Sequence, residues 1–435
     1  MARKQDDGKP AFDGFDMPRR SRFMPSRRAL LLAVPALSVS AALAGYVLET
    51  RSTNDDDDFD EPVSAGPGIA VMPSTLAGPR AKPLWSKNFK PGSDVVAVAY
   101  AAGTLIVMGD DGSLTGYDPR TGKTKWTSPL QGPPNWDAPL LTVGDILYIA
   151  DINANFSAVH AADGSVLWQV RLPQPEAEVS SVYGVAGSMV FCSGDDDNSQ
   201  GSGGPLLWAV DTANRRVAWT LQNVGSNLAI AGSTSAGVVV TCNEIAQHLT
   251  AYDVKDGRQL WETEAGNAGD VTAPTAAPTC ITVIGNTVYW TSDRFRALDV
   301  TTGRQLWLRA AWEGDEELLG AIPQSTSVAD LMIAMTVTTD TGGYLYGYLR
   351  ETGEILWRKA ADVEFSSRTS LVGGNGAVFV AENSNGSVYA VDSQTGQTRW
   401  TYHDPTATKG LRWPIVTNGS QLFVAYGGTI RAFIA

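Results

Sequence analysis

The residues best suited to act as nucleophiles, bases or soft metal ligands in this 435-residue chain are Cys192, Cys242 and Cys280 and the histidines at 160, 248 and 403. Their spacing offers little chemistry. No two cysteines are adjacent or separated by two residues, which excludes a zinc ribbon and a thioredoxin-type redox centre, and the scattered histidines argue against a His/Cys metal cluster. No G-x-S-x-G motif supplies an activated serine. The carboxylates come in runs: Asp55–Asp58, Asp110–Asp111 and Asp195–Asp197. The first lacks the alternating ligands and central glycine of a calcium loop and reads as a solvated spacer. The other two fall at turns between strands and read as solvated loop charge, with cation binding as the alternative. Asp195 also opens the longest insertion, which runs to Pro205.

The element that positions all of these is a phrase written over and over. Its clearest copy runs from Leu249 to Trp261: a strand ending at Asp253, a turn with Gly257, and a second strand through Trp261. The same phrase carries Asp118, Gly122 and Trp126; Asp299, Gly303 and Trp307; and Asp392, Gly396 and Trp400. Weaker copies surround Trp168, Trp219 and Trp357, and two of them put His160 and Leu349 where the Asp should be. Around each copy lie four short runs rich in β-branched and aromatic residues, as from Thr279 to Leu308. Four strands recurring every forty to fifty residues indicate propeller blades. Trp85 lies 41 residues before Trp126 and reads as a fourth strand with no blade ahead of it. The carboxyl terminus offers three strands and stops. The expectation is an all-β, eight-bladed β-propeller of four-stranded blades, closed where the strand near Trp85 joins the last blade.

Each repeated residue has a structural reason. Asp accepts backbone N–H groups of its turn, Gly permits positive φ, and Trp buries a large ring between blades. A binding role falls instead to residues outside the repeat near the central funnel: Trp136, Arg368, Arg412 and Trp413, with Tyr183 on an inner strand. Trp and Arg are enriched in binding hot spots; plugging the core of the ring is the alternative reading for them. Cys192 and Cys242 occupy equivalent second strands of successive blades, near the ~10 Å sheet spacing and beyond the ~7 Å that a disulfide allows. Cys242 with Cys280 is the better pair, though three buried thiols are the simpler reading.

Residues 1–48 hold eight Lys/Arg against four Asp, a net +4, so the overall charge of −13 leaves −17 for the remainder. So acidic a body excludes nucleic acid as partner. Residues 29–48 carry no charge and are long enough to cross a bilayer, with five Arg between 19 and 28 placing the amino terminus in the cytoplasm. Two readings stay open. In one, the stretch is an uncleaved anchor at the cell membrane, with the propeller outside. In the other, the Arg27-Arg28 pair and Ala42-Leu43-Ala44 mark twin-arginine export, cleavage and secretion. The expected organisation is a basic tail (1–28), an anchor or export signal (29–48), a disordered acidic linker (49–82) and a monomeric propeller (83–435).

With its Ala/Gly–aromatic–Asp, Thr-Gly and Trp elements, the repeat resembles the pyrroloquinoline-quinone (PQQ) repeat, or tryptophan-docking motif, over about residues 83–435. The resemblance implies the eight-bladed fold. In quinoprotein dehydrogenases it also implies PQQ on an adjacent Cys–Cys disulfide, calcium held by Glu, Asn and Asp, and a catalytic Asp; this chain has no such cysteine pair. It is similar rather to non-catalytic members, among them the propeller scaffold of outer-membrane protein assembly and exported repeat proteins. The expectation is therefore a non-enzymatic binding or scaffold module without a cofactor, for a protein or envelope component. A PQQ-dependent oxidoreductase and a sensor of a small extracellular ligand are the alternatives.

Overall fold

The computed structural model describes residues 71–72, 76–90, 93–129, 140–151, 153–173, 178–195, 205–222, 224, 229–233, 235–243, 248–264, 280–291, 294–310, 321–337, 343–361, 365, 369–382, 386–407 and 413–435. Every element within them is a strand. The strands form eight sheets of four antiparallel strands, each wound from an inner to an outer strand, and one sheet gains Val71–Met72 as a parallel fifth strand at its outer edge. Blades one to seven span residues 95–129, 141–171, 178–222, 229–264, 280–310, 321–361 and 370–403. Blade eight takes three strands from residues 415–434 and its outer strand from the other end of the chain. Trp85–Asn88 pairs antiparallel with Thr429–Ile434, Trp85 opposite Ala432. The ring is all-β, has eight four-stranded blades, and closes at Trp85, as the repeat predicted.

The strands form where they do because β-branched and aromatic residues alternate with small ones, and the second and third strands of each blade are buried on both faces. In blade seven, Ala377–Glu382 is buried throughout. Eight apolar clusters result, several of them joining side chains from neighbouring blades.

The tryptophans sew these seams. In each of blades one to seven the outer strand shifts register just before its Trp. The bulged residue turns outward, which is why Leu167, Leu260, Leu306 and Leu356 are exposed. A bulge strengthens the local twist and re-aims the next side chain, so the indole swings toward the following blade. Opposite each Trp stands Gly or Ala, as Gly116 faces Trp126 and Ala251 faces Trp261. A Cβ on Gly116 would lie 2.2 Å from the ring of Trp126, so the slot admits no side chain. The indole then lies against the turn glycine of the next blade: Trp261 against Gly303 and Trp357 against Gly396. Its Nε1–H donates to a carbonyl there: Trp85 to Pro119, Trp219 to Val254, Trp261 to Val300 and Trp357 to Ser393, at 2.8–2.9 Å. Trp126 and Trp307 do the same at 3.2 Å, to Ala161 and Arg350. Trp400 faces blade eight and stacks there on Phe433 of the third strand.

Order begins earlier than expected. Val71–Met72 is a strand, and Leu76 is buried in the seam between blades six and seven, all within the stretch 49–82 that reads as a disordered linker. No helix among the described residues is long and apolar enough to cross a membrane. The apolar stretch 29–48, the basic tail and the Asp55–Asp58 run lie outside the described residues.

Candidate functional site

In a meander of four strands, the turns from first to second and from third to fourth strand emerge on one face. The loops from second to third strand, and the connectors to the next blade, emerge on the other. The two faces differ in kind. On the first, every turn is short. In six of the blades the turn before the outer strand closes with the same two backbone bonds, as when Asp299 N–H donates to the Arg304 carbonyl and Gly303 N–H to that of Asp299. The Asp carboxylates are spent within these turns. Asp118 accepts from the N–H groups of Arg120 and Thr121 and the Thr121 hydroxyl. Asp299 accepts from both the N–H and the hydroxyl of Thr301 and of Thr302. Bonds to the ionised form lower a carboxyl pKa. The Thr301 hydroxyl does most to lower that of Asp299, Asn214 that of Asp211 and Thr121 that of Asp118.

The two exceptions keep the turn without the Asp. Leu349 retains both backbone bonds. His160 also does, and its Nδ1 sits 3.1 Å from Asp163. Asp163 takes over the acceptor role toward Ser165, whose hydroxyl chiefly holds the carboxyl down at about 2.

The second face is the loop face. The described strand ends that flank the candidate residues all open onto it. Trp136 lies between Thr124–Pro129 and Leu141–Val143, Arg368 between Ile355–Ala361 and Ser370–Gly374, and Arg412 between Thr398–His403 and Ile415–Thr417. These three fall outside the described residues, as does the insertion 196–204. Trp413 is described, and it is fully buried. It packs on Tyr426 with ring centroids 4.6 Å apart, in the cluster shared by blades seven and eight. It offers no surface to a ligand. Tyr183 is likewise buried, between blades three and four.

Beside Trp413 lies a group that the repeat pattern gave no signal for. Asp404, 3% exposed, opens the connector from blade seven and pairs with Arg431 on the third strand of blade eight. Arg431 also lies over the Tyr402 ring, 5.8 Å from its centroid. Burial works to raise the Asp404 carboxyl, yet the Thr406 bonds and the Arg431 charge outweigh it and hold the pKa below normal. The pair ties the connector leaving blade seven to blade eight. Its components looked like loop and strand residues because position 431 varies between copies, being Thr115 and Thr250 in two of them but Tyr346 and Tyr389 in two others. Elsewhere on this face Asp111 bonds to Lys90 and to Ser113, and its pKa falls to about 2, the Lys90 bond being the largest cause. His248 meets Glu262 at 2.8 Å in blade four, and His403 meets Ser387 at 3.3 Å in blade seven. The three histidines thus sit in three blades, each with a local partner.

PQQ with calcium is the group the resemblance raises, and the donors among the described residues do not fit it. The three cysteines lie far apart in sequence. Cys192 is a free thiol in the core shared by blades two and three, its pKa pushed far up by burial. Cys242 is buried in another cluster, and the Cys280 side chain lies outside the described residues. The repeat aspartates face their own turns, and among the described residues no three His, Cys, Asp or Glu side chains converge.

Sequence and structure comparisons place this architecture. A family model described as outer membrane protein assembly factor BamB matches residues 110–321 and, in an overlapping match, 291–433. BamB of Nitrosomonas eutropha is 25% identical over 298 residues, 65% of this chain and 66% of that protein. The chain spans between 18% and 66% of the length of the curated relatives it matches. The crystal structure of BamB from Moraxella catarrhalis superposes with a TM-score of 0.56 at 19% identity, over 81% of this chain and 97% of that one. The quinohemoprotein alcohol dehydrogenase of Comamonas testosteroni gives a TM-score of 0.58 at 12% identity, over 81% and 76%. At such identities both structures share the fold with this chain, and the matched repeats carry the kinship: the chain belongs to the PQQ-repeat family of the outer membrane protein assembly factor BamB.

Proposed function

We propose that the protein is a non-enzymatic, membrane-tethered binding or scaffold propeller that engages a protein or envelope component through its loop face. One observation carries this reading: the side chains that recur from blade to blade are consumed in holding the ring together. Asp is spent on its own turn, Gly on the left-handed backbone, and Trp on the next blade's carbonyl. What differs between blades, and so what is able to discriminate a partner, lies in the loops and connectors of the opposite face. Membership in the BamB family supports the scaffold class. The apolar stretch 29–48 supports attachment at the extracytoplasmic side.

Cross-linking in native membranes followed by mass spectrometry is the test. The expected result is one envelope protein recovered repeatedly with the propeller. A stoichiometric cofactor after incubation with PQQ and calcium, with dye-linked oxidation of an alcohol or sugar, would replace this reading with that of an oxidoreductase. A thermal shift with a small extracellular metabolite would favour a sensor.

A further inference from the structure

Ahead of the ring-closing strand, the chain runs along the outside of two other blades. Val71–Met72 pairs in parallel with the outer strand of blade six, Val71 opposite Arg358 and Met72 opposite Lys359. Leu76 is 3% exposed and packs with Trp357, Ala361 and Tyr389 in the seam between blades six and seven. Arg80 makes a parallel bridge to Thr401 of blade seven. Around it Thr401 N–H donates to the Pro79 carbonyl at 2.9 Å, and Ala81 N–H to that of Thr401 at 2.7 Å. The fit is close: a Cβ on Gly78 would lie 2.8 Å from Thr398 Cγ2. Ala81 packs against the cluster shared by blades seven and eight, and Leu84 N–H already donates to Ala432 of blade eight. Residues 71–72 and 76–82 thus contribute a strap over blades six and seven, and from Leu76 it leads without a break into the closing strand.

The other blades show what the strap covers. The second residue after the Trp is half-buried in blades two, four and eight, at Val170, Thr263 and Lys87. In blade six that residue is Lys359, opposite Met72, and it is only 5% exposed.

The closing strand itself is short: four residues, Trp85–Asn88, complete the last blade. Its carboxyl end is held, because Phe89 N–H donates to Gly428 at 2.7 Å and Val95 N–H to Gly427 at 2.9 Å as the chain enters blade one. With a free amino end, so short a strand would open locally from that end, one ladder bond after another. The strap removes the free end. Upstream, the strand is pinned by Leu76 in its seam and by the bonds at Thr401; downstream, it is pinned by blade one.

We infer that the ring is closed by a two-stage latch: the strap must lift from blades six and seven before Trp85–Asn88 can leave blade eight. Chain connectivity sets the order, and the burial of Leu76 sets the threshold. Returning one buried leucine to water disfavours opening by about ten-fold to a hundred-fold.

Hydrogen exchange and amine acylation on the full chain test the order. Leu76→Asp and the milder Leu76→Ala weaken the strap without touching the closing strand. Release of the strap is read as faster acylation of Lys359 by an amine reagent. Lifting of the closing strand is read as faster amide exchange in the peptide covering residues 84–88. The third strand of blade three, Pro205–Asp211, reports any general loosening of the ring. In Leu76→Asp both the Lys359 rate and the exchange over 84–88 are expected to rise about ten-fold or more, with 205–211 unchanged. Leu76→Ala should raise both by less. A reactive Lys359 with exchange over 84–88 unchanged from the parent chain overturns the inference, because strap and closure would then open independently. Equal acceleration over 205–211 overturns it too, since Leu76 would then support the whole ring rather than its closure. So does a Lys359 rate unchanged in both variants, since the strap would not be what covers it.

Discussion

Replacing Gly303 with alanine carries two separate costs, and only one of them depends on the neighbouring blade. Gly303 has φ of +69°, and a Cβ there would lie 2.7 Å from Cε3 of Trp261. The left-handed backbone costs an L-residue about 1–2 kcal/mol. Displacing a packed indole adds about 1–3 kcal/mol, so Gly303→Ala is expected to destabilise the chain by about 2–5 kcal/mol. Trp261→Ala alone should cost about 3–5 kcal/mol from lost burial and the cavity left behind. Part of that comes from the Val300 carbonyl losing its donor. With the indole gone, the alanine at 303 has nothing to displace, and only the backbone cost of about 1–2 kcal/mol should remain. The two changes should therefore be less than additive by about 1–3 kcal/mol. Urea unfolding of the four chains, followed by circular dichroism because one variant removes a fluorescent probe, measures that coupling. Should Gly303→Ala cost the same with and without Trp261, the indole is not what reserves the position for glycine, and the account of the seams fails.

Other perturbations address the remaining parts. Asp404→Ala leaves the Arg431 charge buried without its partner and should cost about 3–5 kcal/mol, whereas Asp404→Leu with Arg431→Met should recover most of it; melting temperatures of the two chains decide. The carboxyls of Asp111, Asp163, Asp299 and Asp404 all have folded pKa values below the ordinary value of 3.8. Their contribution is thus complete above about pH 4 and is lost as pH falls through the folded values, down to about 2 for the first two. A pH titration of the melting temperature should show its acid limb there and no comparable loss between pH 5 and 7 from these groups. Asp299→Ala should cost about 1–2 kcal/mol, because four donors turn to water while the two backbone bonds of the turn persist as they do at Leu349; urea unfolding reads it. Cys192 should resist iodoacetamide until the chain unfolds, since burial suppresses its thiolate, and peptide mapping of alkylated sites follows this directly.

The ring could be read from the sequence because a repeat states the same packing problem eight times. Asp253, Gly257 and Trp261 recur with their spacing intact, and Trp85 without a blade in front of it announced the closure. The bulge that aims each Trp was not legible: it appears only when the strand register is known, and the exposed leucines before the Trp residues look like core positions on paper. The strand at Val71–Met72 and the burial of Leu76 were missed for a related reason. Leu76, Gly78 and Pro79 sit in a stretch with neither periodicity nor high hydrophobicity, and what orders them is the outer edge of blades hundreds of residues away. The candidate site was least legible of all. Trp413 stood out as an aromatic beyond the repeat set, yet chemical type alone does not separate a plug from a ligand platform, and here the ring is buried against Tyr426. The Asp404–Arg431 pair gave no signal because position 431 is not held constant between copies, Arg296 being its match in blade five but Thr250 in blade four, and Asp404 lies in a connector outside the repeated phrase.

That asymmetry is the core of the account: the recurring residues build the ring, and recognition lies on the loop face where the copies differ. Photo-crosslinking from single positions in native membranes tests it most directly, with probes at the exposed loop-face residues Lys90, Pro173 and Thr406 and at the exposed tight-turn residues Asp163, Lys255 and Gln394. The account predicts that the same envelope partner is captured from loop-face positions and from none of the tight-turn positions. Capture confined to the tight-turn positions would contradict it.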